Sequence, residues 1–412
     1  MKPRVVITGL GAVTPLGNDM KTTWAALKSG LSGVRAITRF DASAFPCRIA
    51  GELDGFDPLA YMTAKEAHRT DPFIQYAVAA AMMAIEDAKL SLIACSSPRT
   101  GVLVGSGRGG VTTTEKNMAA FLERGPKAVS PFMTPMSLVN MASGYISMRL
   151  GAKGPCLDVS TACATGTHAL GEAMKIIQRG DADIMIAGGT EAAITPLILA
   201  GFCQAKAVSL RNSAPGKASR PFDKQRDGFV LSEGAGVLVL EEIRHAEKRG
   251  ARIYAELAGY GLSSDAFHYT RPDEGGDGPA RAMVLALLDA GMGPEKIEYI
   301  NAHGTATRSN DRVETLAMKK AFGEYAGTIA VSSSKSMLGH MLGAAGAVEA
   351  AITALSLSEG IVTPTINLEH PDPDCDLDYV PLKARRRKLR SALSNSLGFG
   401  GINAALVLTI VS

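Results

Sequence analysis

Short apolar runs alternate with longer alanine-rich stretches along the whole chain. The runs at 5–9, 100–107 and 182–192 have the length and composition of buried strands, whereas 73–90 and 164–180 have the length and spacing of helices. Such strand–helix alternation predicts an α/β protein with helices on both faces of its sheets. Because no stretch reaches 18 uninterrupted apolar residues, we expect no membrane-spanning helix.

The second half of the chain shows the same organisation. Strands are predicted at 299–307, 329–336 and 391–401, and a helix is predicted at 343–360. Each of these strands ends in a turn of small residues, as does the strand predicted at 157–163. Open α/β sheets bind their ligands at the carboxyl ends of strands, so we expect the functional residues in these turns.

Composition narrows the classes of protein that fit. The chain has 412 residues, of which 46% are hydrophobic and 20% charged, and this composition predicts a large folded core. A net charge of +3 gives no signature of nucleic-acid binding. The N-terminus lacks a secretion signal, and the six scattered cysteines include no CxxC pair, so no zinc knuckle is expected. These features predict a cytoplasmic protein.

The segment LDVSTACATGTHALG holds the first candidate for chemistry. A predicted strand runs into Cys163, after which small residues open a helix. A thiol at a helix N-terminus is expected to favour the thiolate, and the free backbone N–H groups there can hold an oxyanion. For this segment alone, a buried core cysteine is the structural alternative.

Two histidines lie in similar turns. His303 lies in NAHGTAT and His340 in KSMLGH, each in a small-residue turn after a predicted strand. Two neutral imidazoles can donate hydrogen bonds to one developing enolate. Lys335 could supply positive charge beside such a site, with the carboxylate of Glu314 as its ion-pair partner. Each histidine taken alone has the alternative of a satisfied core residue.

Two glycine-rich segments predict different things. NSLGFGGIN places Phe399 between glycines, which suits a flexible gate whose backbone N–H completes an oxyanion hole. An ordinary glycine turn is the alternative. ITGLGAVTPLG has the glycines of a dinucleotide-binding turn, but Pro15 and the missing downstream acidic residue argue against a Rossmann site.

Four motifs in this order and spacing closely resemble β-ketoacyl-[acyl carrier protein] synthases of type II: VSTACATGTHALGEA, NAHGTAT, KSMLGH and GFGGIN. The resemblance covers essentially the whole chain. It implies an α/β, thiolase-like fold of duplicated five-layered αβαβα architecture, with the nucleophile in residues 1–252 and the histidines in residues 253–412. It further implies a homodimer that elongates fatty acyl chains and takes acyl carrier protein as its partner. No dissociable cofactor is implied, because the substrates are carried on phosphopantetheine.

The resemblance also implies roles for individual residues. Cys163 would carry the acyl group, and the N–H groups of Cys163 and Phe399 would form the oxyanion hole. His303 and His340 would hold the malonyl thioester carbonyl during decarboxylation. The resulting carbanion would attack the acyl-cysteine and release a 3-oxoacyl thioester. Lys335 and Glu314 match a structural ion pair near the histidines.

Other positions match binding sites of relatives. The phosphopantetheine arm would contact Thr270, Thr305 and Thr307. A basic face for the acidic carrier protein would comprise Lys65, Arg69, Arg124, Lys127 and Lys206. A structural K⁺ or Na⁺ site, for which a hydrogen-bonded cluster is the alternative, would comprise Asn301, Ala302, Glu349, Ser394 and Asn395.

The chain departs from its relatives around the acyl tunnel, where Phe202 is a further candidate lining residue. Arg108 stands where relatives carry an apolar residue, and Ile198 replaces a small one. Met133 and Thr134 replace an aromatic and an aliphatic residue. A guanidinium in an apolar tunnel is unfavourable unless it is paired. Either the acyl pocket is shorter or suited to a polar or carboxylated tail, or Arg108 points to solvent or to a carboxylate.

Three alternatives to a fatty-acid elongating enzyme follow from the same resemblance. A specialised paralogue would make a polyketide or an unusual acyl chain. A thiolase shares the fold but uses a second cysteine in a CxG motif, where this chain has GFGGIN. A chain-length factor lacks the nucleophile, whereas Cys163 is present. The sequence therefore predicts a condensing acyltransferase.

Overall fold

The computed structural model describes residues 2–411 of the chain. The strands are β1 (Val5–Val13), β2 (Arg35–Ala36), β3 (Ile49–Ala50), β4 (Thr100–Gly105), β5 (Cys156–Leu157), β6 (Ile184–Glu191), β7 (Gly234–Glu242), β8 (Ala255–Ser264), β9 (Tyr299–Asn301), β10 (Ala330–Ser332), β11 (Ile361–Val362), β12 (Arg385–Arg386), β13 (Ser391–Gly398) and β14 (Ile402–Thr409). The α-helices are α1 (Met20–Lys28), α2 (Ala64–His68), α3 (Pro72–Asp87), α4 (Leu92–Cys95), α5 (Val111–Arg124), α6 (Met133–Ser137), α7 (Met141–Leu150), α8 (Thr165–Arg179), α9 (Pro196–Gln204), α10 (Ile243–Lys248), α11 (Asp277–Ala290), α12 (Arg308–Phe322), α13 (Lys335–Leu338) and α14 (Ala345–Glu359).

The principal sheet has ten strands in the order β10-β9-β13-β14-β8-β1-β7-β6-β4-β5. On each side of the β8–β1 junction the pattern is the same: three parallel strands at the edge, followed by two antiparallel ones. The junction is short, with Val6 opposite Glu256 and Ile7 opposite Ala255. The sheet therefore consists of two copies of one five-stranded arrangement.

Helices complete a five-layered αβαβα architecture. α8 and α14 pack against each other and against strands of both halves of the sheet, whereas α3 covers β1 and β7 and α11 covers β8 and β14. Glycines permit the close approach of the two central helices. A Cβ on Gly346 would lie 2.0 Å from Thr167 Oγ1, and one on Gly166 would lie 2.6 Å from the Ala347 nitrogen. The predicted thiolase-like, duplicated fold is confirmed.

The hydrophobic core lies on both faces of the sheet, where helices cover it. All nine residues of β1 are buried, as expected for strands covered by helices on each side. One apolar cluster surrounds the central helices, with Leu170 and Ile352 among its members. Two others lie under the outer helices, around Phe73 of α3 and Met283 of α11.

Most predicted elements are present, with small differences at their ends. The strand predicted at 157–163 is wrong, because β5 comprises only Cys156–Leu157 and the chain then turns into a 3-10 helix at Ala162–Ala164. Within residues 2–411, the longest apolar helices fall short of what a membrane span requires.

Candidate active site

Cys163 lies in the 3-10 turn that opens α8. Its neighbour Ala162 has a φ of 50°, in the left-handed region that is unfavourable for a residue with a side chain. The equivalent turn before α14 repeats this conformation at Leu342, with a φ of 46°, and Gly343 there takes the place of the cysteine. The duplicated fold therefore provides two such turns, and one of them holds the nucleophile.

The thiol of Cys163 is enclosed by charged and polar groups. Burial raises its pKa to about 11, although the Lys335 charge and a hydrogen bond from the Phe399 N–H oppose this. The resting side chain is therefore a thiol. The expectation of a thiolate is wrong, because burial outweighs the positive groups around the sulfur. The Phe399 N–H lies where an oxyanion formed at Cys163 would need a donor.

His303 and His340 face each other at right angles, with ring centroids 5.3 Å apart. Burial and the nearby Lys335 hold the pKa of both imidazoles well below the usual value, so both are neutral at physiological pH. Lys335 Nζ lies 3.4 Å from His303 Nδ1 and can only donate, so Nδ1 accepts and the ring proton is on Nε2. His303 can therefore donate to a substrate carbonyl without carrying a charge.

Lys335 is buried behind the histidines and is paired with Glu349, whose Oε1 lies 2.5 Å from Nζ. The predicted Lys335–Glu314 ion pair is therefore wrong. Glu314 instead accepts the backbone N–H groups of His303 and Gly304 at 2.7 and 2.8 Å, which fixes the turn that carries the histidine. Sequence spacing could not reveal that Lys335 pairs with Glu349, because the packing of α14 is what brings this glutamate to the lysine.

A cavity of about 740 Å³ brings most of the predicted residues together. Cys163, His303, His340 and Phe399 all line it. The predicted binding residues that also line it are Thr270, Thr305, Thr307, Arg108, Phe202 and Lys206. Lys335 and Glu314 lie outside it, so they act on the histidines rather than on a ligand.

Only some of the predicted acyl-tunnel residues line the cavity. Arg108 and Phe202 line the cavity, with the guanidinium carbon of Arg108 5.7 Å from the centre of the Phe202 ring. Ile198 packs one helical turn before Phe202 in the apolar cluster that borders Cys163. Met133 and Thr134 lie on α6, outside the cavity lining of this chain.

The predicted basic face is exposed. The Arg69 guanidinium lies 4.5 Å from the centre of the Phe132 ring, which places the end of α2 beside the segment after α5. Lys206 follows α9 at the rim of the cavity. The side chains exposed to solvent are Lys65, Arg69, Arg124, Lys127 and Lys206.

Several buried oxygens of the residues predicted to form a cation site have no hydrogen-bond partner within residues 2–411. Ser394 pairs with Asn301 in the register of β13 and β9, and the Asn301 amide donates to the Glu349 carbonyl at 3.3 Å. Four buried oxygens of this group lack a hydrogen-bond partner among residues 2–411: Asn301 Oδ1, Glu349 Oε2, Ser394 Oγ and Asn395 Oδ1. Such an oxygen set fits a hard cation better than it fits a closed hydrogen-bonded cluster.

Sequence reasoning did not single out Glu191. This buried carboxyl group lines the cavity and accepts the N–H groups of Gly107, Arg108 and Gly343 at 3.0–3.1 Å. Burial raises its pKa to about 7. The available signal was an acidic residue at the end of the buried strand β6, directly after two glycines and a threonine.

Comparisons with known proteins identify the family of this chain. The family model described as "Beta-ketoacyl synthase, N-terminal domain" matches residues 2–246, and the one described as "Beta-ketoacyl synthase, C-terminal domain" matches residues 254–369. A thiolase-like fold with an enclosed cysteine and two neutral histidines defines the class of condensing enzymes. The chain belongs to the β-ketoacyl synthase family.

Individual relatives cover the whole chain. The 3-oxoacyl-[acyl-carrier-protein] synthase 2 of Coxiella burnetii (strain RSA 493 / Nine Mile phase I) is 53% identical over 100% of this chain and 99% of its own. The solved ishigamide ketosynthase/chain length factor is 37% identical, with a TM-score of 0.94 over 100% of both chains. A type II polyketide ketosynthase solved with its acyl-carrier protein, AntDE:AntF, is 36% identical, with a TM-score of 0.93 over 100% of both chains.

Proposed function

We propose that this chain is a condensing acyltransferase that joins an acyl group carried on Cys163 to malonyl-acyl carrier protein, giving 3-oxoacyl-acyl carrier protein and CO₂ in fatty-acid chain elongation. One observation carries the proposal: a single cavity holds an enclosed thiol, a backbone N–H directed at it and two neutral histidines. The 53% identity to a 3-oxoacyl-[acyl-carrier-protein] synthase 2 supports the same reaction.

The first half-reaction takes place at Cys163. Its sulfur attacks the acyl thioester carbonyl, and the N–H groups of Cys163 and Phe399 stabilise the oxyanion that develops. The bond to the carrier sulfur then breaks. Because the pKa of Cys163 is about 11, the cysteine enters as a thiol, and its proton leaves with the carrier thiol. The acyl group remains on Cys163 as a thioester.

The second half-reaction uses the histidines. The Nε2–H group of His303 and a ring N–H group of His340 donate to the malonyl thioester carbonyl, so that the bond to the carboxylate breaks and CO₂ leaves an enolate. Its carbon attacks the acyl carbonyl on Cys163, and the carbon–sulfur bond breaks. One proton from solvent restores the thiol, which balances the loss of the carboxylate. Neutral imidazoles suit this step, because they stabilise the enolate without first trapping the carboxylate as an ion pair.

The carrier protein and a second subunit are the partners that we propose. The exposed basic face and Thr270, Thr305 and Thr307 in the cavity suit an acidic carrier and its phosphopantetheine arm. Strand β5 is an exposed sheet edge with Leu157 open to solvent, and the neighbouring helix α7 exposes a second apolar side chain, Met148. Pairing of this edge with its own copy would give a symmetric homodimer.

We further propose that the chain divides functionally into halves 1–252 and 253–412 and works in the cytoplasm, where its six free cysteines would stay reduced. The oxygens of Asn301, Glu349, Ser394 and Asn395, beside Ala302, would hold K⁺ or Na⁺. A bound cation would supply positive charge behind the histidine turns.

Intact-protein mass spectrometry tests the reaction. Incubation with acyl-carrier thioesters should add one acyl group to the protein, and Cys163→Ala should abolish the adduct. Addition of malonyl-carrier should then remove the adduct and release 3-oxoacyl-carrier. His303→Ala should still form the adduct but elongate it about 100- to 1000-fold more slowly, since it loses one enolate donor. Absence of an adduct from every donor would contradict the covalent mechanism.

The cation proposal has its own measurement. Transfer from buffer containing K⁺ to tetramethylammonium should lower the melting temperature, because the buried oxygens lose their partner. Asn395→Leu removes one of these oxygens and should reduce that difference. Equal melting temperatures in both buffers would leave a hydrogen-bonded cluster as the better description.

A further inference from the structure

An unpaired guanidinium lies in the cavity with the nucleophile. Arg108 follows strand β4 and lines the same cavity as Cys163, and its guanidinium carbon lies over the Phe202 ring, 5.7 Å from its centre. Ion pairs elsewhere on this chain extend to N···O distances of 3.9 Å, but within residues 2–411 no carboxylate lies that close to the Arg108 guanidinium. Arg108 is exposed to solvent, so its guanidinium borders the cavity with water, rather than a carboxylate of this chain, as its partner.

The backbone holds Arg108 in this position. Its N–H donates to Glu191 Oε1 at 3.1 Å, and the neighbouring Gly107 N–H donates to Glu191 Oε2 at 3.0 Å. Ser106 Oγ accepts from the Gly109 N–H at 2.9 Å, which closes the turn. Because the turn is fixed at both ends, the backbone of Arg108 is held beside the cavity before any substrate arrives.

The acidic residues of the cavity are already engaged. Glu191 is occupied by the backbone donors described above, and Asp227 lies 3.7 Å from Arg211. Asp265 accepts from Asn403 at 2.7 Å. An alkyl chain packed against Arg108 would displace water from the guanidinium without replacing the lost hydrogen bonds. A carboxylate would instead form a bidentate, charge-assisted pair with it.

An anion bound by Arg108 should belong to a part of the substrate that is not lost in the reaction. The malonyl carboxylate is lost as neutral CO₂, so a cation bound to it would stabilise the ground state and slow its loss. We propose that Arg108 binds the terminal carboxylate of the acyl chain carried on Cys163, so that the enzyme prefers ω-carboxyacyl donors. This inference rests on the function proposed above and names its acyl substrate class.

Matched acyl donors test the selectivity. Rates of adduct formation at Cys163 are measured by intact mass for succinyl, adipoyl and suberoyl carrier thioesters, each beside the saturated donor of equal length: butyryl, hexanoyl and octanoyl. We expect at least one carboxylated donor to react faster than its partner. Arg108→Met should lower the rate with that donor about 10- to 100-fold and should not slow the saturated donor.

Two further variants separate charge from geometry and from general effects. Arg108→Lys keeps the charge but loses the two-point contact, so its rate should fall between those of the wild type and Arg108→Met. Arg244→Met, an exposed site on α10 remote from the cavity, should match the wild type. Acylation of Arg108→Met by saturated donors shows that the variant is folded.

The outcomes distinguish this inference from the proposed function. If saturated donors acylate Cys163 at least as fast as carboxylated ones, and Arg108→Met leaves that ratio unchanged, the carboxylate preference is overturned while the condensing function stands. If no donor of either kind acylates Cys163, the proposed function fails, and the inference fails with it.

Discussion

At the scale of single residues, the site depends on keeping its histidines neutral in a buried place. Burial and the Lys335 charge both lower the pKa of His303, and the hydrogen bond from Lys335 fixes which ring nitrogen carries the proton. Lys335 itself does not line the cavity. It is therefore a positioning residue, whose effect should be visible in the pH dependence rather than in substrate binding.

Removal of this lysine should move the acid limb of the pH–rate profile. In Lys335→Met the pKa of His303 rises, because one of the charges that lowers it is gone, and the ring becomes protonated at higher pH. We expect kcat/KM for malonyl-carrier to begin its fall at higher pH than in the wild type. Acylation of Cys163 should become slower without this shift of the acid limb, because loss of the Lys335 charge raises the pKa of the thiol further. Since this variant leaves Glu349 unpaired, Lys335→Met/Glu349→Gln provides a second measurement. An unmoved acid limb in both variants would contradict the positioning role.

Glu191 should give stability a measurable pH dependence. Its folded-state pKa of about 7 lies above the ordinary value of 4.5, chiefly because of burial. Between these values the native state holds more protons than the unfolded state, so this group's contribution to the free energy of unfolding is lost as pH rises through that window. The size of this loss is about 3 kcal/mol.

Glu191→Gln removes that titration. We therefore expect the difference in free energy of unfolding, wild type minus variant, to fall between about pH 4.5 and pH 7 and to be flat outside that range. Denaturant titrations at several pH values measure it. Glu349 titrates similarly in both proteins, so its contribution cancels. A difference that does not change with pH would show that Glu191 is not protonated in this range.

At the scale of elements, the central layer requires α8 and α14 to approach closely. In Gly346→Ala the new methyl group would meet Thr167, including its backbone nitrogen, so one helix must shift. We expect the free energy of unfolding to fall by about 1–3 kcal/mol. Gly201→Ala, in the exposed middle of α9 with no atom within 4 Å, should instead raise it by about 0.5–1 kcal/mol. Equal effects in denaturant titrations would contradict the tight contact.

The elements also show what a sequence can and cannot reveal. Strands β1, β4 and β6 were predictable because they are buried on both faces and read as short apolar runs. Cys163, His303 and His340 could be singled out because small residues surround each of them, although only His303 comes soon after a strand. The pairing of Lys335 with Glu349 was not, because it depends on the packing of α14. The neutral Cys163 was missed because burial is a property of the folded chain.

At the scale of the whole molecule, the exposed edge at β5 predicts the state of assembly. We expect the wild type to sediment at twice the mass of the chain. Leu157→Asp places a charge on the edge strand and should shift the protein toward a single chain, because identical carboxylates would face each other. Leu285→Asp, on the outer helix α11 and similarly exposed, should remain at the wild-type mass. Sedimentation velocity measures all three, and an undisturbed Leu157→Asp would place the interface elsewhere.

Strand β5 also lies close in sequence to the nucleophile. Only residues 158–161 separate it from the turn of Cys163, and these residues are incompletely buried in the single chain. In the proposed dimer, pairing at β5 would brace this connection in both subunits at once. Catalysis would then have a concentration threshold: on dilution below the dissociation constant, activity per molecule would fall although every catalytic group remained intact. The abundance of the enzyme in the cell would itself determine whether each molecule works.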